Sequence, residues 1–218
     1  MAQYPWERVS MDDFIAEAEA KFSRLFNMPV AEITDAIGSA CAFFGIPYPD
    51  MVYNLTYQQD GRTMFVNSDP STYDDDVICF NLKQLRNLGA TNKESFSLIM
   101  THECAHRYFQ KTTFPGLNNG VWEEELACDY FMGVRSQMQH MDIRRVAEGL
   151  GQTQGWKGHP DGDLRYQAIM EGQRAVVFLA QNNYALSMDN LMSCFEQYRQ
   201  AVEPTIFARE QKYQYQQL

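Results

Sequence analysis

The sequence predicts an α+β protein, mostly helical with a small antiparallel-containing sheet, and three observations carry that expectation. Apolar residues recur at helical spacing from Phe14 to Phe44, β-forming residues gather between Met51 and Phe80, and helical periodicity returns at Thr91 and lasts almost to the end. The order is helices, sheet, helices.

Each element has its own signal. Phe14, Ala18, Phe22 and Leu25 make one apolar face, and Val30, Ile33, Ile37, Cys41 and Phe44 make a second, so two amphipathic helices open the chain. Met51 to Tyr57 and Arg62 to Val66 are rich in β-formers and partly alternate, with Asp60-Gly61 between them as a hairpin turn. Ser68 to Asp76 is a polar loop whose Asp74-Asp75-Asp76 run reads as a solvated segment rather than a calcium site, and Val77 to Phe80 is a further short strand. Thr91-Asn92-Lys93-Glu94 has capping-box spacing and starts a helix carrying Phe96, Ile99, His102, His106 and Phe109 along one side. Thr112 to Gly120, with Pro115, Gly116 and two asparagines, is a connection to a helix over Val121 to Met138. A short helix over Ile143 to Leu150, a glycine-rich loop over Gly151 to Gly162, and helices over Asp163 to Gln181 and Met188 to Val202 follow. One domain over residues 1–210 is expected, with a frayed polar tail at 211–218.

Composition narrows the function. A chain of 218 residues, 45% hydrophobic and 13% aromatic, can bury a core without disulfides or structural metals. Its net charge of -10 and the absence of any basic run argue against nucleic acid and anionic lipid as partners. Met1 to Lys21 lacks the basic and uninterrupted apolar regions of a signal peptide, and apolar stretches such as Ala175 to Ala180 are too short to cross a bilayer, so no membrane insertion is expected. Cys41, Cys79, Cys104, Cys128 and Cys194 are odd in number and free of CxxC spacing, which suits buried thiols in a reducing, cytoplasmic compartment. Cys104 and Cys128 read as packing residues, and His140 as a surface histidine.

The chemistry concentrates in His102-Glu103-Cys104-Ala105-His106. Two histidines four apart on a helix share a face and can grip one metal ion, and the intervening glutamate can take a proton from a metal-activated water. Glu123, Glu124 and Glu125 are candidates for a third ligand. The first two sit where acidic side chains favour the helix dipole; Glu125 alone has a carboxylate one turn on, Asp129, to serve as a supporting group. In His159-Pro160-Asp161-Gly162-Asp163-Leu164-Arg165, proline holds His159 on a stiff, extended backbone, while Arg165 places a cation in the first turn of a helix against the dipole. His159 or Arg165 would stabilise an oxyanion or hold a carboxylate near the metal, unless Arg165 simply pairs with Asp161 or Asp163.

HExxH, ExxxD and HPxxxxR, in that order between about Thr91 and Gly172, resemble the gluzincin metallopeptidases, especially the group of CAAX prenyl proteases and bacterial heat-shock membrane proteases. The resemblance implies a zincin-like fold with an HExxH active-site helix, zinc bound by His102, His106 and Glu125, Glu103 as general base, and Asp129 supporting a ligand histidine. It places His159 and Arg165 near the active site and Val77 to Phe80 as an edge strand for an extended peptide or protein substrate. The chain lacks that group's transmembrane helices and so looks like a soluble, minimal relative. Two other readings stand beside the peptidase: a zinc-containing regulatory or binding protein with an occluded site, and another metal-dependent amide hydrolase. Deformylases also carry HExxH, but take their third ligand from an upstream cysteine.

Overall fold

A computed structural model describes residues 8–9, 29–48, 51–54, 64–67, 77–80, 88–112, 121–156 and 158–215. The features expected at Phe14 to Leu25, at Asp60-Gly61, over Ser68 to Asp76 and at Pro115-Gly116 lie outside these residues. The chain divides into two compact units, Met1–Lys111 and Thr112–Leu218.

Two helices build the described core of the first unit. Helix α1 (Val30–Phe44) buries Ile33, Ala36, Ile37, Ala40, Cys41 and Phe44, one continuous stripe at helical spacing, against helix α2 (Lys93–Lys111). Its end is closed by Gly45 at φ 63, whose N–H reaches Ala42 O while Ile46 N–H reaches Cys41 O. This is the paired turn that a left-handed glycine permits. At the start of α2 the capping box is shifted one residue from expectation. Asn92 Oδ1 accepts from Ser95 N–H at 2.9 Å, and Ser95 Oγ accepts from Asn92 N–H at 3.1 Å. Asparagine outranks threonine as a cap, and the serine hydroxyl returns the bond that a glutamate was expected to supply.

The expected α+β, zincin-like class with a small sheet is corrected by the balance of structure. Among residues whose side chains are described, 77% are helical, in six helices, and none lies in a strand. Among the described residues the apolar core comes from the helices, with Ala90 and Ile143 just before two of them. Four segments run as strand backbone only: β1 (Arg8–Val9), β2 (Met51–Asn54), β3 (Met64–Asn67) and β4 (Val77–Phe80), each four residues or fewer. Their order is β1-β2-β4-β3, with β2 parallel to β4 from Met51↔Val77 and β3 antiparallel to it from Met64↔Phe80. Two further expectations fall with that order. The Met51 and Arg62 segments do not pair as a hairpin, and Val77–Phe80 is not an edge open to a peptide, because it is bonded on both sides. Strand partners are chosen by non-local contacts that turn residues alone do not fix.

The second unit is built on helix α3 (Val121–Met138), buried on nearly every side from Trp122 to Ser136. Helix α4 (Arg144–Gly151) and helix α5 (Gly162–Gln181) pack together, and α5 lies along α3. That last packing is unusually close: a methyl group on Gly133 would stand 2.0 Å from Ile169 O, and one on Gly172 would stand 2.0 Å from Tyr130 O. Only hydrogen side chains allow the two backbones to touch there. Helix α6 (Met188–Tyr215) seats Phe195 on Tyr130, whose hydroxyl donates to Leu191 O at 2.9 Å.

Helix α6 also corrects the expected end of regular structure near Val202. It continues through Pro204, which removes one helical donor, to Tyr215. Tertiary contacts hold the extension. Arg209 pairs with Asp161 and Asp163 at 3.2 and 2.6 Å, Tyr213 donates to Asp161 Oδ1 at 2.6 Å, and its ring packs on Trp122. Among the described residues no helix is long and apolar enough to cross a membrane.

Candidate metal centre

Helix α2 carries the histidine pair. A pitch of 3.6 residues sets His102 and His106 one above the other, and their Nε2 atoms converge to 3.2 Å with the rings nearly perpendicular at 78°. Two ligand nitrogens on a tetrahedral zinc, with bonds of about 2.05 Å, are about 3.3 Å apart. The pair therefore fits one edge of such a site. His102 is buried, His106 half-buried, and Glu103 between them is 4% exposed.

Behind this face α2 meets α1 through polar and sulfur contacts. Ser39 and Ser97 hydroxyls lie 3.3 Å apart, and the Cys41 and Cys104 sulfurs 3.6 Å apart. Arg107, fully buried, donates to Pro47 O at 3.1 Å and to Cys41 Sγ at 3.5 Å. The hydrogen bond with Cys41 and then burial push the Cys104 thiol well up from its ordinary value.

In the second unit the other predicted residues form one polar group. Arg165 clasps Asp129 with both prongs, Nε to Oδ2 at 2.6 Å and Nη2 to Oδ1 at 2.9 Å, and its Nη2 stands 3.9 Å from Glu125 Oε2. His159 Nδ1 lies 2.9 Å from the same Glu125 oxygen. Asp129 is fully buried, and Glu125 and Arg165 are 6% and 8% exposed. The arginine that opposes its helix dipole is thus explained by a bidentate carboxylate partner rather than by Asp161 or Asp163, which Arg209 takes. Two buried carboxylates thus share one guanidinium. Glu123, expected to serve the dipole, is buried and bonds Arg199 at 3.0 Å.

The loop beneath His159 is fixed by its backbone. Trp156 and His159 exchange N–H···O bonds at 2.9 and 3.1 Å, and buried Trp122 donates its indole N–H to Trp156 O at 3.0 Å. His140, expected at the surface, is exposed and takes a left-handed φ of 54 at the end of α3.

His102 and His106 offer donors that could hold a metal ion. Cys128, expected as a packing residue, is fully buried on α3. No family model matches this chain, and no curated protein or solved structure does either.

Proposed function

We propose that this chain is a zinc-dependent peptidase, in which His102 and His106, with Glu125 as third ligand, would hold the metal. The observation that carries the reading is the convergence of the two Nε2 atoms to 3.2 Å on one helical face. Zinc bound there would act as a Lewis acid and lower the pKa of water in its open position. Glu103, adjacent to His102 and buried, would take the proton of water attacking a peptide carbonyl and return it to the leaving amine. Arg165 and His159 would fix the carboxylates: the fork of Arg165 immobilises Asp129, and His159 restrains Glu125 from the opposite helix boundary. A reducing cytoplasm suits the free thiols of such an enzyme.

A second reading is a regulatory or binding protein whose metal is structural, with no hydrolysis. In the peptidase, Glu103→Gln keeps one metal per chain and loses cleavage of a peptide library. Purified protein without zinc, or Glu103→Gln with wild-type cleavage, refutes the peptidase reading.

A further inference from the structure

The proposed hydrolysis makes no use of the thiols between α1 and α2. Cys41 and Cys104 are 2% and 0% exposed, and their sulfurs face each other at 3.6 Å, the separation of atoms in contact but not bonded. Both belong to the first unit, so this contact lies inside one folded body. Arg107, three residues after Cys104, places its guanidinium 3.5 Å from Cys41 Sγ, where it offers a counter-charge to a sulfur that has lost its proton. A sulfur nucleophile with a neighbouring cation and a second thiol in contact has the parts of a redox pair. Their burial restricts the oxidant to a small molecule.

We infer that Cys41 and Cys104 form a reversible dithiol–disulfide pair closed by hydrogen peroxide. Cys41 sulfur, as thiolate, attacks one peroxide oxygen; the O–O bond breaks, the sulfur becomes a sulfenic acid, and the departing hydroxide takes a proton to leave as water. Cys104 sulfur then displaces the sulfenic oxygen, the S–S bond forms, and a second water leaves. Two thiols lose two electrons and two protons, and peroxide gains them. Closure brings the sulfurs from 3.6 Å to about 2.05 Å, a movement that side-chain rotation and a small shift of α2 towards α1 supply. The bridge ties α1 to the turn of α2 between Glu103 and Ala105, so oxidation is felt on the helix that bears the histidine pair. This inference depends neither on a bound metal nor on hydrolysis.

The test uses the full reduced chain, freed of reductant and treated with one equivalent of hydrogen peroxide under native conditions. Free thiols are then alkylated and the digest is read by mass spectrometry. A Cys41–Cys104 cross-linked peptide, lighter than its two free halves by two hydrogens and lost on treatment with dithiothreitol, is expected, together with a melting temperature raised by about 5 °C or more. With Cys104→Ser, Cys41 should instead be trapped as a sulfenic acid by dimedone. Should that variant fail to fold, the wild-type cross-link map decides alone. Both cysteines alkylated after peroxide, or either one joined to Cys128 or Cys194, overturns the inference.

Discussion

Gly133→Ala tests the close approach of α3 and α5. The added methyl would lie 2.0 Å from Ile169 O and 2.8 Å from Ile169 C, both backbone atoms of α5. An ordinary carbon–oxygen approach is about 3.3 Å, so α5 must withdraw by about 1.3 Å or the two helices must rotate apart. Overpacking costs about 1–3 kcal/mol in cores where side chains can yield, and a backbone carbonyl cannot turn aside, which puts this site at the upper end. Alanine returns about 1 kcal/mol through helix propensity. A withdrawal of that size would also open the Arg165 to Asp129 bonds, now 2.6 and 2.9 Å, adding up to about 2 kcal/mol. The net loss expected is about 2–4 kcal/mol, read as a lower midpoint in urea by helical circular dichroism. Gly172→Ala should behave alike, with Tyr130 O at 2.0 Å. Gly38→Ala in α1 is the control, because its methyl meets nothing nearer than the Tyr48 ring at 3.8 Å and should be neutral or stabilising. If Gly133→Ala is as stable as wild type, or all three variants shift together, backbone contact does not decide the outcome.

Arg165→Met removes the bidentate partner of buried Asp129 and should cost about 3–5 kcal/mol in urea; a loss under 1 kcal/mol would show the clasp to be incidental. Asn92→Ala should cost about 1 kcal/mol and fray the start of α2, and an unchanged urea midpoint would count against the cap. Arg209 holds the Asp163 carboxyl below its ordinary range, so their pairing stabilises above about pH 4 and is lost as pH falls through the lowered value. Arg209→Ala should therefore flatten the acid limb of the stability–pH curve; an unchanged limb counts against the pair.

What the sequence made legible was local. The pitch of a helix is enough to bring His102 and His106 to 3.2 Å, and periodicity alone placed α1, α3, α4 and α5 within a residue or so. Arg165 was conspicuous because it broke the dipole rule, yet its partner lies 36 residues away and only packing of α5 on α3 brings Asp129 to it. The capping box slipped by one because Thr91 and Asn92 are both acceptable caps and the choice depends on Ser95. Strand order failed because β4 pairs with both neighbours across long connections. The helix expected to end near Val202 is carried past Pro204 by the contacts of Arg209 and Tyr213.

The spacing of the histidine pair bears on competition among metals. By intrinsic affinity copper(II) outranks zinc for nitrogen ligands, so a site that relied on donor type alone would be captured by copper wherever copper is available. Adjacent nitrogens in a square plane with bonds of about 2.0 Å stand about 2.8 Å apart, against about 3.3 Å in a tetrahedron. The 3.2 Å between His102 and His106 is close to the second value. Under the proposed reading the helix pitch would act as a gauge, holding the two nitrogens at a spacing that favours a tetrahedral ion over a square-planar one.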